Sequence, residues 1–265
     1  MISFDVFKYG KRNALTMSYD DASACDIKLV DIFNKYGVKS TFHINSGLLD
    51  DDTGWHVEKK DIKEVYKGHE ISAHGLCHRA LTQLPAQNII HEIIDNRMEL
   101  ECLCGYPVRG LSYANGFYND EVISSLRTCG IEYSRTTKST KSFQLPQDFL
   151  AWHPTCHHND SIEMSERFLN AKHFQGKLFY VWGHSFEFDR NKNWDLIEKF
   201  CKIMSDCKDV WFATNVEIYD YISAQRNLKI SVDNKLIYNP SSQSVWVVVD
   251  GESCEVKGGE LVRLP

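Results

Sequence analysis

Asn13–Ser23 reads NALTMSYDDAS, a short apolar run that ends in two adjacent aspartates, Asp20 and Asp21. Four to eight mostly apolar residues bounded by polar ones have the length and composition of a buried strand. Successive side chains at a strand end point in different directions, so the two carboxylates serve different neighbours. Like charges side by side repel, and either the pair is a solvated turn or something positive sits there. Asp21 or Ser23 is also a candidate N-cap for the segment that follows.

Outward from this stretch the chain alternates. ASACDIKLVDIFNKYG has helical spacing and ends at Gly37, a C-cap candidate. VKSTFHI reads as a strand, KKDIKEVYKG as a helix and HEISAH as a strand. AQNIIHEIIDNRMELECLCG is the longest amphipathic segment, followed by the strand RGLSYA. NDEVISSLRTCG opens on an asparagine cap before a helix, and IEYSR follows as a strand. After a less regular middle come KLFYVWGH (strand), WDLIEKFCKIMSD (helix), DVWFATN (strand) and VEIYDYISAQRN (helix). Repeated βα units with short connections predict parallel strands, in a barrel or an open doubly wound sheet. From residue 227 the period changes to near two, with turn signals at Asp233-Asn234 and Asp250-Gly251. Residues 1–226 are therefore expected to form the main α/β domain and residues 227–265 a small antiparallel β appendage.

The chain has 265 residues, 43% hydrophobic and 25% charged, with a net charge of −6 and both signs scattered along it. That balance lacks the basic stripe of a nucleic-acid binder. The opening MISFDVFKYGKRN has no signal-peptide core, and no segment is long enough to span a membrane. Nine cysteines at irregular spacing, an odd number without a CxxC pair, point to reduced thiols and a cytoplasmic setting. Cys102 and Cys104 share one helix and lack the second pair that a structural zinc site needs.

In a parallel α/β architecture, functional residues gather where strands end. Asp20 and Asp21 follow LTMSY, His74 ends HEISAH, Tyr113 lies near the end of RGLSYA, and His184 ends KLFYVWGH. Arg109 opens its strand instead and has to reach across to join the same site. His74 and His78, four apart in HGLCH, share one face if the segment is a helical turn, close enough to hold one metal. Two imidazoles and a carboxylate suit a borderline divalent ion such as zinc and leave coordination positions open.

In order and position, these residues resemble the NodB-type polysaccharide deacetylases, carbohydrate esterase family 4. SYDD is similar to the family's first motif; HGLCH to its His-(Ser/Thr)-x-x-His motif, with Gly75 in the hydroxyl position; RGLSYANGFYND to its third, with Ala114 where proline is common; and LFYVWGH to its last. The resemblance covers roughly residues 12 to 220 and leaves out the β tail. It implies a distorted (β/α) barrel and a metal-dependent hydrolase that removes acetyl groups, N-linked before O-linked, from a sugar or glycan precursor.

By the same resemblance Asp20 is the general base, and Asp21, His74 and His78 hold the metal. That metal is zinc first, with cobalt, nickel, manganese or iron as alternatives. Arg109 balances Asp20, His184 is the general acid, and a backbone N–H near Tyr113 serves the oxyanion. The family's fourth motif has no clear counterpart. FLAWHPTCHHND stands in its place, with Trp152 as a wall of the sugar site and His157, His158 or Asp160 within reach of the centre. Two rivals stay open: an amidohydrolase of the same superfamily acting on a small amide or cyclic imide, and a carbohydrate binder without turnover.

Overall fold

The computed structural model describes residues 2–50, 53–171 and 176–264. The apolar run at the start of the chain is the central strand, β2 (Asn13–Asp20), following the short β1 (Ile2–Ser3). From Ala14 to Asp20 every residue of β2 is buried, the pattern of a parallel strand covered on both faces. The other strands of its sheet are β3 (Thr41–Ile44), β4 (Glu70–Ala73), β5 (Gly110–Ser112), β6 (Tyr133–Arg135), β7 (Cys156–His157), β8 (Lys177–Gly183) and β9 (Val210–Phe212).

The sheet runs β6-β5-β4-β3-β2-β8-β7, every pair parallel. One edge of β2 is shared: β3 pairs with its carboxyl end at Ser18–Asp20, and β9 with its amino end at Asn13–Leu15. An irregular segment connects the two ends of the curled sheet. The Trp152 N–H donates to the Ser134 carbonyl (3.0 Å), and the Thr155 N–H to that of Tyr180 (2.8 Å). Pro154 between them has no N–H to offer a ladder, so this stave cannot be regular. The result is a distorted (β/α) barrel.

The helices are α1 (Asp26–Tyr36), α2 (Ile62–Val65), α3 (Ala86–Cys104), α4 (Asp120–Thr128), α5 (Ser161–Asn170), α6 (Phe186–Asn191), α7 (Trp194–Ser205) and α8 (Asn215–Arg226). Gly37 closes α1 in the left-handed region, φ 65°, its N–H donating to the Asn34 and Phe33 carbonyls, and Asn119 caps α4 by accepting from the Val122 N–H. The helix after the aspartates starts later than its pattern suggests. Ser23 bonds the Cys25 N–H locally, residues 22–25 form a turn, and no side chain caps α1. The irregular middle contains α5 and the short α6.

The tail is antiparallel: β10 (Lys229–Ile230), β11 (Leu236–Tyr238) and β14 (Leu261–Arg263) make one small sheet. β12 (Val245–Val249) and β13 (Glu252–Val256) make another, whose third strand is β1. Ile2 and Ser3 pair with Val249 and Val248, so the start of the chain is woven into the tail. The Trp246 N–H donates to the Tyr221 hydroxyl of α8 (3.0 Å), fastening the tail to the barrel. All nine cysteines carry free thiols. Among the described residues no helix is long and apolar enough to cross a membrane.

Candidate active site

The carboxyl end of β2 delivers Asp20 inward, where it is 2% exposed. The Arg135 guanidinium, from the end of β6, pairs with its Oδ2, and Ser112 Oγ, from the end of β5, donates to its Oδ1 (3.2 Å). The register sets Ser112 beside Arg135, which brings both to the same carboxylate. Burial pushes the Asp20 carboxyl upward, but Arg135, His74 and His43 outweigh it and hold the group well below the usual carboxylate range.

Asp21 turns out of the strand with φ 77°, and Ala22 follows at φ 51°. Two consecutive non-glycine residues in the left-handed region are costly, and here they aim a carboxylate over the barrel mouth. Its Oδ1 lies 3.4 Å from His74 Nε2 and 3.6 Å from His78 Nε2, and its Oδ2 lies 3.8 Å from His184 Nε2. The two histidines sit on a loop rather than on a helical turn, and His78 itself has φ 55°. Helix α3 holds that loop: Asn96 Oδ1 accepts from the His74 N–H (3.1 Å) and Glu92 Oε2 from the Cys77 N–H (3.0 Å). Gly75 belongs here because its φ is 79° and a Cβ would stand 3.3 Å from Glu92 Oε2.

His74 donates Nδ1–H to the Ser112 carbonyl (2.8 Å), which leaves a lone pair on Nε2. That Nε2 is buried without a hydrogen-bond partner and faces the Asp21 carboxylate. A lone pair against a carboxylate oxygen is repulsive unless a cation lies between them. The donor atoms of Asp21, His74 and His78 lie within 4.8 Å of one another. Ligands on a tetrahedral zinc with bonds of about 2.0–2.1 Å are a little over 3 Å apart, so the set fits a divalent metal.

His184 Nδ1 lies 3.2 Å from Glu187 Oε1, one turn on at the start of α6. His157 Nε2 and His158 Nε2 approach Glu187 Oε2 at 3.0 and 3.1 Å. Burial lowers the affinity of His184 for its proton, but Glu187, Asp20 and Asp21 overcome this and raise it. His158 is stacked between Tyr19 and Phe188, and burial pushes it down to about 4. Gly183 makes room for it, since a Cβ there would stand 2.0 Å from His158 Nδ1.

Three expectations need correction. Arg109 does not reach Asp20. It lies just before the amino end of β5, where its guanidinium binds Glu132 (2.9 Å from Nε) and Asp220 (3.1 Å from Nη1), while Arg135 stands at Asp20. Trp152 does not wall a sugar site: it is 1% exposed, packed among Tyr133, Phe149 and Tyr180 inside the barrel. The half-buried indole at the site is Trp182, 4.4 Å from the Arg135 guanidinium. Tyr113 is also 1% exposed; its hydroxyl donates to the Leu150 carbonyl (2.6 Å) and its N–H to that of Arg135 (3.0 Å), leaving neither for substrate. Of the FLAWHPTCHHND candidates, His157 and His158 reach the centre through Glu187, whereas Asp160 pairs with Lys141 at the surface. Glu187, one helical turn beyond His184, is the partner that the motif reading missed.

The curled parallel sheet is a fold that the chain shares with solved carbohydrate esterase family 4 structures. Residues 8–134 match the family model described as polysaccharide deacetylase. A putative polysaccharide deacetylase from Mycobacterium smegmatis shares the fold at a TM-score of 0.64 and 17% identity, over 85% of this chain and 96% of that one. A family 4 acetyl xylan esterase from Clostridium thermocellum, in complex with a cobalt ion, aligns at 0.54 and 13% identity, over 78% of this chain and 90% of that one. A Streptococcus pyogenes deacetylase in complex with acetate is matched over 55% of its own length and 46% of this chain, at a TM-score of 0.44 and 22% identity. No curated protein sequence shows a significant match.

Proposed function

We propose that the protein is a metal-dependent deacetylase of an acetylated sugar or glycan, acting on N-acetyl groups before O-acetyl groups. The observation that carries this reading is the unpartnered, buried Nε2 of His74 facing Asp21, with His78 completing a three-donor set. Asp21, His74 and His78 would hold a divalent ion, zinc first by its ligand chemistry. When bound, such an ion polarises the acetyl carbonyl and makes water a nucleophile near neutral pH.

The remaining groups have separable tasks. Asp20, kept ionised by Arg135, accepts the proton of the attacking water. His184, kept protonated by Glu187, donates to the leaving amine from Nε2, the nitrogen that faces Asp21. A base held below and an acid held above their ordinary ranges can coexist in opposite protonation states at neutral pH. Trp182 beside Arg135 is the aromatic surface offered to the sugar. The free thiols fit a reducing, cytoplasmic compartment, where a soluble or lipid-linked glycan precursor is at hand.

The test measures metal content and acetate release together. Wild type should hold about one divalent ion per chain and release acetate from N-acetylated glycans. Asp21→Ala should lose the ion, whereas Asp20→Asn should retain it and hydrolyse poorly. Full occupancy in Asp21→Ala removes the ligand assignment, and wild-type turnover in Asp20→Asn removes the base.

A further inference from the structure

His157, His184 and Glu187 offer a second set of donors, distinct from Asp21, His74 and His78, whose ligand atoms all lie within 4.8 Å of one another. Glu187 Oε2 lies 3.0 Å from His157 Nε2, and Glu187 Oε1 lies 3.2 Å from His184 Nδ1. We propose that these three residues form a second, weaker divalent-metal site, and that filling it stops deacetylation by taking the nitrogen through which His184 holds its Glu187-paired proton. The site stands on its own donors; its effect on turnover rests on the deacetylase reading.

Geometry supports it first. Two imidazoles and a glutamate are a donor set that zinc accepts, with ligand atoms roughly 3 Å apart. Both contacts of Glu187 already stand at that spacing. Glu187 Oε2 and the Nε2 of His158, a residue 0% exposed, lie 3.1 Å apart, and neither has a hydrogen-bond partner. A buried carboxylate oxygen without a donor is costly, and a cation beside it removes that cost. Stacking on Tyr19 and Phe188 holds His158 behind the carboxylate. Arg190 also approaches Glu187 Oε1, at 3.8 Å, but its side chain is 64% exposed and yields to a bound ion. The side chains of His157, His184 and Glu187 are 22, 21 and 14% exposed, which leaves an ion a way in.

Chemistry accounts for both the weaker binding and its effect. His74 Nε2 already presents a bare lone pair, whereas the second set holds protons that an ion must displace. His184 Nδ1 gives its proton to solvent. The His157 ring proton moves from Nε2 to Nδ1, and the contact that opposes this, with the Asn159 N–H, is long at 3.4 Å. The ion then sits where the His184 proton sat. His184 becomes a neutral, metal-bound imidazole, and its remaining Nε2–H is a far weaker acid than an imidazolium. The leaving amine is left without its donor. His184 faces Asp21 through that other nitrogen, at 3.8 Å, so the two ions stand on opposite sides of one ring and the first stays bound.

The test dialyses the full chain against stepped concentrations of free zinc and measures bound metal and acetate release from an N-acetylated glycan at each step. Wild type should bind one ion at low zinc and a second at higher zinc. Acetate release should rise with the first and fall about 100-fold with the second. His157→Ala should bind one ion fewer at saturation while still filling the first site, which shows that it is folded. Excess zinc should inhibit that variant only at concentrations at least about tenfold higher. Asp21→Ala should lose the tight ion and keep the weak one. Equal zinc stoichiometry in wild type and His157→Ala overturns the site, and acetate release undiminished by the second ion overturns its effect. A second ion that depends on His157, with no acetate release at any zinc concentration, keeps the site and overturns the deacetylase reading.

Discussion

Replacing Arg135 by methionine removes the guanidinium paired with Asp20 and leaves a carboxylate that is 2% exposed. Ser112 Oγ at 3.2 Å and the neighbouring His74 remain, but neither carries a permanent positive charge. Breaking one side of a buried pair typically costs about 3–5 kcal/mol, because the stranded charge is unpaired in a poor solvent. Arg109 is a control of similar chemistry. Its side chain is 29% exposed and its two carboxylate partners 39% each, so solvent screens the pair and Arg109→Met should cost about 1 kcal/mol.

Urea denaturation in chelator, which keeps bound metal from compensating, measures both variants. Adding Asp20→Asn to Arg135→Met should recover most of the loss, since a neutral amide leaves no buried charge. In activity, Arg135→Met should move the acidic limb of the pH–rate profile upward, because burial then governs the Asp20 carboxyl. Wild-type stability and profile in Arg135→Met, with both altered in Arg109→Met, would refute the assignment of Arg135 to Asp20.

Glu187→Gln should lower kcat about 10–100-fold with little change in KM, and shift the alkaline limb of the pH–rate profile downward. The sign follows from Glu187 raising the proton affinity of His184, so an unmoved limb separates a packing role from a proton-holding one. Glu70, buried under the barrel and accepting from Thr41 Oγ1 (2.8 Å) and the Val216 N–H (2.9 Å), is pushed by burial from 4.5 to about 7. Its neutral form is favoured in the fold, so this stabilisation is full below pH 4.5 and is lost as pH rises through about 7. The stability difference between wild type and the non-titrating Glu70→Gln should shrink by up to about 3 kcal/mol across that window, as read by denaturation at several pH values.

The sequence by itself determined what depends on near neighbours in the chain. Burial on both faces makes β2 an unbroken apolar run, and a parallel strand ends where its polar residues begin, so Asp20, Asp21, His74 and His184 were legible as strand-end groups. The period-two tail and its Asp-Asn and Asp-Gly turns were legible for the same reason. His78 was named through its spacing from His74, although the backbone meets that spacing with a left-handed loop instead of a helix.

Tertiary structure decided which arginine, which carboxylate and which indole serve those groups. Arg109 precedes β5 and Arg135 ends β6, and strand pattern places only the second at the site end without saying which carboxylate it meets. The parallel register does, setting Arg135 level with Ser112 and leaving Arg109 at the opposite rim. Glu187 looks like an ordinary first-turn acid of a short helix until α6 carries it against His157, His158 and His184. Trp152 and Trp182 are equally aromatic on paper, but the irregular stave turns the first into the barrel core and leaves the second beside Arg135. Such partners meet across gaps of up to 115 residues, as Asp20 and Arg135 do. Only closure of the sheet brings them within reach of each other.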